Sequence, residues 1–293
     1  MCPCAQLNDD RSERVPYTCP GYPIHVTKSR LCDYPNYTAP SHWHDDMEFI
    51  VVLSGQMDYS VNGTVVTLRE GEGIVVNARQ MHFGFSAARA SCEFLCILLH
   101  PELLCSVSSL EQDFVLPVLQ NGSAPFALLH PGCPWQERIL KELFSMYDAS
   151  LEGGAAPLKI QSSFAAVWAL LYEHLPVQKT PSDYPGADLA IMKNMVGYIQ
   201  KHYAEKLTLA DIAAAGAVGQ SKCCKLFQKY VQQTPVLYLN QHRLSKSVGL
   251  LRSTDLSVTE IALSVGFRSA SYYAESFRKW CGKSPTAFKN ELP

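Results

Sequence analysis

The sequence has no apolar run long enough to cross a membrane. Its 293 residues contain no stretch of eighteen apolar residues, and residues 1–10 include no basic segment leading into a hydrophobic one. The eleven cysteines are odd in number and form no C-x-x-C framework, so reduced thiols are expected rather than a disulfide scaffold. We therefore expect a cytoplasmic protein without a membrane partner.

Charge is sparse and unevenly distributed. Charged residues make up 18% of the sequence, and the net charge is −2. From residue 187 onward, 14 lysines and arginines face 7 aspartates and glutamates, whereas the preceding part has 11 against 20. The C-terminal third is thus electropositive, as contact with nucleic-acid phosphates requires. An ordinary solvated surface is the alternative explanation.

Residues 261–285 have the pattern of a helix-turn-helix. Gly266 can form the turn and Ser269 can cap the second helix. The apolar positions at helical spacing are Ile261, Ala262 and Val265 in the first helix and Tyr273, Phe277 and Trp280 in the second. This spacing predicts a second helix held by one apolar face, with its other face free to enter a DNA groove.

An earlier segment repeats this pattern about fifty residues upstream. Gly216 and Gly219 correspond to Gly266 and Ser269, with one extra residue in the second turn. The matching apolar positions are Leu207, Leu209, Ile212, Ala213, Cys223, Leu226, Phe227 and Tyr230. A bridging helix is expected over residues 236–251. About 24 Å of helix can hold two recognition helices on one face of DNA.

Residues 190–290 resemble the DNA-binding domain of AraC/XylS-type transcription regulators. The residues that carry the resemblance are Ile261, Ala262, Val265, Gly266, Phe267, Ser269, Ser271, Tyr272, Phe277, Gly282 and Pro285. The resemblance implies double-stranded DNA as a partner and RNA polymerase as a further candidate partner. It also implies a structural role for Arg243, which stands where the family usually has an arginine.

The exposed positions of the two predicted recognition helices are candidate DNA contacts. They are Gln220, Ser221, Lys222, Lys225 and Lys229 in the first helix, and Ala270, Ser271, Tyr272, Glu275 and Lys279 in the second. Glutamine can pair with adenine, and lysine with guanine or phosphate. Glu275 stands where many family members have arginine, and a carboxylate there repels phosphate but can accept from cytosine N4.

The N-terminal half is rich in short β-type runs. They cover residues 24–26, 47–53, 57–61, 65–68, 73–76 and 92–99, and the turn signals Ser54-Gly55, Asn62-Gly63 and Glu70-Gly71 separate them. Many short strands with glycine turns predict a β-barrel or a double-sheet jelly roll.

Three histidines and a glutamate form the second motif. His42 and His44 would share one face of a strand, Glu48 continues the even spacing, and His82 follows near the end of a later strand. This arrangement resembles the first cupin motif, H-x-H-x3-E-x6-G, although Asn77-Ala78 replaces the usual Pro-x-Gly of the second motif. The four residues could hold a divalent transition metal, or they could form part of a pocket or a hydrogen-bonded core.

An effector pocket is expected around this motif. It would comprise His42, Trp43, His44, Glu48, Asn77, Arg79 and His82, with Gln80 as a further polar group. Aromatic residues near the barrel mouth, namely Trp43, Phe49, Tyr59, Phe83 and Phe85, could stack on a sugar ring or could simply be core. The sequence does not choose the ligand.

Two amphipathic helices follow the barrel. The first carries Trp135, Ile139, Leu140, Leu143, Phe144, Tyr147 and Leu151 on one face, and the second carries Ile160, Phe164, Val167, Trp168, Leu171 and Leu175. In AraC-type regulators such a hairpin commonly forms the dimer surface, so a homodimer is expected. Covering the barrel is the alternative role.

The sequence therefore predicts an α+β two-domain protein. The expected segments are a flexible N-terminus (1–20), a cupin-like effector-binding β-barrel or jelly roll (21–133), a helical hairpin for dimerisation (134–176), a linker (177–187), and an all-α domain with two helix-turn-helix units (188–293). The expected function is ligand-responsive, sequence-specific DNA-binding transcription regulation without catalysis. One alternative is a metal-dependent cupin enzyme fused to a DNA-binding module, and another is a constitutive DNA-binding or scaffold protein whose barrel has no cavity.

Overall fold

The computed structural model describes residues 6–7, 12–175 and 187–290, which divide into an N-terminal and a C-terminal unit. The predicted linker 177–187 lies outside the described residues except for Ala187. Among the helices of these three ranges, none combines the length and the hydropathy needed to span a bilayer.

The N-terminal unit contains nine strands in its described part. They are β1 (Gln6–Leu7), β2 (Glu13–Arg14), β3 (Ile24–Arg30), β4 (Met47–Val61), β5 (Thr64–Arg69), β6 (Gly73–Val76), β7 (His82–Phe85), β8 (Cys92–Leu99) and β9 (Phe126–Leu129). Strands β1 and β2 pair only with each other, and the main sheet has the order β3-β8-β4-β6-β9. The second half of β4 also pairs with β5 and β7, and every pairing is antiparallel.

Strand β4 organises the barrel because it runs unbroken through the Ser54-Gly55 turn expected from the sequence. That expectation is wrong: the register against β8 shifts between Val52 and Ser54, and Gly55 adopts a positive φ of 78°. A Cβ on Gly55 would lie 2.1 Å from the Ser91 carbonyl oxygen. Glycine is thus needed for a bulge rather than for a turn.

The bulge reverses the face that alternate residues of β4 present. Before it, Phe49 and its odd-numbered neighbours face the helices, whereas Ile50 and Val52 face the barrel interior. After it, Met57, Tyr59 and other odd-numbered residues face the interior. Phe49 therefore packs edge-on against Phe164 of the second hairpin helix. The expectation that Phe49 lines the barrel mouth is wrong.

Short helical turns precede β9: 3-10 turns at Leu31–Asp33, Pro35–Tyr37 and Pro101–Leu104, helices α1 (Ser108–Leu110) and α2 (Leu116–Leu119), and a π-turn at Glu111–Val115 between them. The hairpin helices α3 (Pro134–Glu152) and α4 (Ala156–His174) then pack against the outer face of the main sheet. The predicted apolar face of α3 is partly wrong, because Phe144 and Leu151 are exposed while Met146 and Ala149 are buried.

Part of the stretch 1–20, which the sequence predicts to be flexible, contacts the rest of the unit, although Pro16, Tyr17, Thr18 and Pro20 are exposed. Val15 is buried, and the Tyr17 hydroxyl donates to Asp46 at 3.1 Å. Residues 1–5 and 8–11 of that stretch lie outside the described residues.

The C-terminal unit has seven helices in its described part. They are α5 (Ala187–His202), α6 (Leu209–Ala215), α7 (Gln220–Val231), α8 (Pro235–Ser253), α9 (Val258–Ser264), α10 (Ala270–Cys281) and α11 (Pro285–Asn290). Both α6 and α9 begin with a capping box, Thr208 with Asp211 and Ser257 with Glu260. Helix α8 contacts the helices on both sides of it, so the expected bridging helix is confirmed.

Each helix-turn-helix unit buries the apolar face that the sequence predicts for its second helix. Tyr273 and Phe277 of α10 are fully buried, as are Cys223 and Phe227 of α7. Arg243 of α8 is buried, and its guanidinium donates to the carbonyl oxygens of Tyr203 at 2.7 Å and Glu205 at 2.8 Å. The structural role expected for Arg243 is thereby confirmed.

Candidate metal centre and nucleic-acid interface

The three histidines and Glu48 converge at one point in the cupin-like unit. One ligand atom from each of His42, His44, Glu48 and His82 can be chosen so that all four lie within 4.8 Å of one another. His44, Glu48 and His82 are buried, and His42 is half-buried. The sequence correctly predicts the convergence, but not its scaffold: His42 and His44 precede β4, and His82 begins β7 rather than ending a strand.

A backbone bridge joins the two parts of the motif. The His42 N–H donates to the His82 carbonyl at 3.2 Å, and the His82 N–H donates to the His42 carbonyl at 3.0 Å. This antiparallel pairing places the two side chains together, with their Nε2 atoms 3.1 Å apart. It is a long-range contact between residues forty positions apart, so strand alternation alone could not specify it.

Each histidine of the motif turns its Nδ1 toward a backbone carbonyl. The acceptors are Pro40 for His42 at 2.8 Å, Asp46 for His44 at 3.0 Å and Gln80 for His82 at 2.9 Å. Since a carbonyl only accepts, Nδ1 must carry the proton in all three rings. The Nε2 atoms of His44 and His82 are then the ones directed toward Glu48, and Nε2 of His42 lies against that of His82.

Glu48 closes the cluster. Its Oε2 contacts Nε2 of His82 and lies 3.3 Å from Nε2 of His44, while its Oε1 accepts a hydrogen bond from the Tyr59 hydroxyl at 2.7 Å. Burial opposes ionisation of Glu48, but His82 and His44 outweigh it and hold the pKa of this carboxyl well below its usual range. Burial and the neighbouring Glu48 raise the pKa of Tyr59, so its hydroxyl remains a donor.

The donor set fits a divalent transition metal. Three imidazole nitrogens and one carboxylate oxygen, each oriented by an outer hydrogen bond, are the arrangement that such ions use in proteins. Metal bonds of about 2.1 Å place donors roughly 3 to 4.2 Å apart, so the widest pairs must close slightly and the Glu48–His82 pair must open slightly. Without a cation, these lone pairs crowd together in a buried site, and protons must hold them apart.

Other residues expected in the pocket have different partners. The Asn77 amide donates to the Val118 carbonyl at 2.9 Å and accepts from the Ala78 N–H at 2.8 Å. The Arg79 side chain is exposed and pairs with Asp45 at 2.5 Å. Trp43 is buried. The sequence reasoning missed Tyr59 as a partner of Glu48, because the bulge in β4 hides their common face.

The candidate DNA-reading side chains lie on the outer faces of α7 and α10. All are exposed except Ala270, which is half-buried; the exposed ones are Gln220, Ser221, Lys222, Lys225, Lys229, Ser271, Tyr272, Glu275 and Lys279. The Tyr272 hydroxyl also accepts a hydrogen bond from the Asn240 amide of α8 at 3.2 Å.

Two of these lysines form ion pairs with acidic side chains. Lys222 lies 2.9 Å from Asp188 at the start of α5, and Lys279 lies 2.7 Å from Glu275 one helical turn away. The hydrogen bond and the charge of Lys279 lower the pKa of Glu275. The second recognition helix therefore presents a neutral pair where Glu275 was expected to act as a lone carboxylate.

Comparison with known proteins supports the domain type predicted for each half of the chain. A helix-turn-helix domain model matches residues 212–291, and a cupin domain model matches residues 31–98. The uncharacterized HTH-type transcriptional regulator YdeC of Bacillus subtilis (strain 168) is 26% identical over 287 residues, which cover 97% of this chain and 95% of that protein. The melibiose operon regulatory protein of Escherichia coli (strain K12) is 24% identical over 262 residues, covering 87% and 85%.

A further regulator and a solved structure are also similar to this chain. The HTH-type transcriptional activator RhaS of Salmonella arizonae is 25% identical over 253 residues, covering 86% of this chain and 87% of that protein. A crystal structure of ToxT from Vibrio cholerae is 14% identical, covers 92% of this chain and 98% of that chain, and has a TM-score of 0.48. The chain belongs to the AraC/XylS-type transcription regulators, with a cupin domain ahead of a DNA-binding domain that contains two helix-turn-helix units.

Proposed function

We propose that the protein is a ligand-responsive transcription regulator whose cupin domain binds a divalent transition metal at His42, His44, Glu48 and His82. The observation that carries the proposal is the common orientation of the three imidazoles. Each ring is anchored through Nδ1; Nε2 of His44 and of His82 turns toward Glu48, and Nε2 of His42 lies 3.1 Å from that of His82. Outer hydrogen bonds of this kind fix the tautomer that coordinates a metal.

The interior beside the cluster favours an effector that binds through the metal over a sugar held by hydrogen bonds. The barrel interior is lined by apolar side chains such as Ile50, Met57 and Leu68. A polyhydroxylated ligand needs several converging polar groups, yet the amides of Asn77 and Gln80 already bond to other protein groups. The effector is therefore the ion itself or a small molecule that donates a ligand atom to it.

Regulation requires the effector-bound protein and the effector-free protein to differ in their affinity for DNA. We infer that the exposed residues of α7 and α10 contact successive major grooves, as the sequence predicts, and that the effector changes how two copies of the chain present them. A ligand can shift such an equilibrium only by its differential affinity for the two arrangements. RNA polymerase is the expected further partner at a promoter.

The hairpin α3–α4 is the proposed dimer surface. Its inner face packs on the sheet, but Phe144, Leu151 and Leu158 remain exposed at 41%, 69% and 69%. Large apolar groups on the surface of a helical pair are typical of association surfaces. Two copies joined there would form a homodimer.

The first test measures metal content and affinity. Purified wild-type protein is expected to retain or rebind about one zinc, nickel or cobalt ion per chain. His82→Ala is expected to lose that binding, and His130→Ala, which changes an exposed histidine outside the cluster, is the matched control. A wild-type protein that binds no ion, or a His82→Ala variant that binds it equally well, contradicts the metal site.

The second test asks whether the metal acts on DNA binding. Sites are selected from random duplexes at a stated salt concentration, and their affinity for metal-loaded and metal-depleted protein is then compared. A change of several-fold in affinity or in half-site spacing is expected. Equal binding by both forms and by His82→Ala would leave DNA binding intact but contradict a regulatory role for the metal.

A further inference from the structure

Asn62 lies in the β4–β5 hairpin and bonds from there to the segment that carries His82. With Gly63 it forms the turn, at φ angles of 51° and 87°. Its backbone N–H donates to the Met81 carbonyl at 2.8 Å, its Oδ1 accepts from the Met81 N–H at 3.0 Å, and its Nδ2 donates to Gln80 Oε1 at 2.7 Å. These bonds hold the residues immediately before His82.

Gln80, which the Asn62 side chain holds, is also the residue that orients the His82 ring. The Gln80 carbonyl accepts the His82 Nδ1 proton at 2.9 Å, while the Gln80 amide donates to the Ala78 carbonyl at 3.0 Å. Arg79 between them adopts a left-handed φ of 64°, a conformation that costs free energy in a residue with a side chain. A strained segment keeps its geometry only when its neighbours hold it, and Asn62 supplies three of the hydrogen bonds that do so.

We propose that Asn62 is a positioning residue for the metal site: through Gln80 and Met81 it holds the carbonyl that bonds Nδ1 of His82 and so orients that ring. The inference rests on the proposed metal function for its biological meaning, but its structural content can be measured without metal. Asn62 is twenty residues from His82 in the sequence and contributes no ligand atom. Loss of an outer contact of this kind typically costs about 10- to 100-fold in metal affinity.

The turn itself offers a matched substitution. Glycine favours the left-handed conformation that Asn62 adopts, so Asn62→Gly deletes the side-chain bonds and preserves the hairpin. Asn62→Asp keeps an oxygen that can accept from the Met81 N–H but removes the donor to Gln80. Asn36→Gly is the control, because Asn36 also has a positive φ, is exposed, and bonds through its side chain to Arg89 instead.

The first measurement is the exchange of the His82 Nδ1 proton with water in metal-free, full-length protein at one fixed pH. Side-chain ¹⁵N NMR is expected to show a slowly exchanging Nδ1–H in wild type and in Asn36→Gly. In Asn62→Gly that proton is expected to exchange faster, with Asn62→Asp in between. An Asn62→Gly protein with a folded spectrum and an unchanged Nδ1–H exchange rate would overturn the proposal.

The second measurement is binding of cobalt(II) or zinc salt alone, by competition with a chelator. Asn62→Gly is expected to bind about 10- to 100-fold more weakly than wild type and Asn36→Gly. Equal affinity for wild type and Asn62→Gly overturns the positioning role. If wild type binds neither ion, the proposed metal function fails, while the proton-exchange measurement still decides the role of Asn62.

Discussion

Gly266 follows the first helix of the second helix-turn-helix unit in a conformation that an alanine would strain. Its φ is +91°, and a Cβ there would lie 2.6 Å from the Tyr203 carbonyl oxygen and 2.9 Å from that of Ala204. Both close atoms belong to the backbone. We therefore predict that Gly266→Ala destabilises the second unit.

The size of the effect follows from two contributions. A left-handed conformation costs an L-residue about 1–2 kcal/mol. The Tyr203 carbonyl must also move, yet it accepts a hydrogen bond from buried Arg243 at 2.7 Å. Weakening a bond to a charged group costs about 1.5 kcal/mol or more, so the total is about 3 kcal/mol.

The first unit contains the same turn with alanine at the equivalent position. Ala217 has a φ of 52°, and the Val218 N–H donates to the Ala213 carbonyl just as the Phe267 N–H donates to that of Ala262. Ala217→Gly is the matched control: it relieves the strain and is expected to leave stability equal or to raise it by up to about 1 kcal/mol.

Hydrogen exchange of the full-length protein, followed by mass spectrometry, measures each unit separately. In Gly266→Ala, the amides of α9 and α10 are expected to exchange on the order of 100-fold faster, which corresponds to about 3 kcal/mol. In Ala217→Gly, those of α6 are expected to exchange at the same rate or more slowly. If the α9 and α10 amides of Gly266→Ala stay within about threefold of wild type, the reasoning from the close contact is refuted.

Three further predictions concern charge. Glu275→Gln is expected to release Lys279 for phosphate, which raises DNA affinity and steepens the salt dependence by up to about 0.9 in log–log slope. Asp188→Asn is expected to raise DNA affinity a few-fold by freeing Lys222, since an exposed pair is worth at most about 1 kcal/mol. His242 is half-buried near Lys246, and desolvation of its ring first, then that charge, lowers its pKa to about 3. Between pH of about 6.5 and about 3, this histidine is protonated in the unfolded protein and neutral in the folded protein. The stability of the C-terminal unit should therefore decrease as the pH is lowered across that window.

Controls separate these effects from general changes in charge. Asp255→Asn removes an exposed acid of the same unit, and DNA titrations at several salt concentrations should show it to be close to wild type. If it raises affinity as much as Asp188→Asn does, net charge explains the result. For the acid effect, urea unfolding at each pH is compared between wild type and His242→Leu, and an equally steep decline in both contradicts the assignment to His242.

The two helix-turn-helix units could be predicted from the sequence because their determinants are local. Apolar spacing identifies the buried faces of α7 and α10, and Ser269 accepts the cap hydrogen bond expected of it. The turn is an exception: the repeat aligned Gly216 with Gly266, but the left-handed residue is Ala217. Gly216 is glycine for another reason, since a Cβ there would lie 2.8 Å from the Met195 side chain.

The residues of the histidine–glutamate motif were also evident from the sequence, but their surroundings were not. The motif spacing identified His42, His44, Glu48 and His82, and fixed their order along the chain. It could not show that Tyr59 bonds to Glu48, because a single bulge in β4 reverses the alternation between them.

The sequence by itself determined the domain types, the duplicated helical unit and the residues of the histidine–glutamate motif, since each is encoded in spacing over a few turns or strands. Only the tertiary structure decided which side of β4 faces inward, which carbonyls fix the histidine rings, and that Asn62 holds the segment before His82. These features depend on pairing between distant segments. Their hydrogen bonds form only when the whole barrel closes, and no local pattern of residues encodes them.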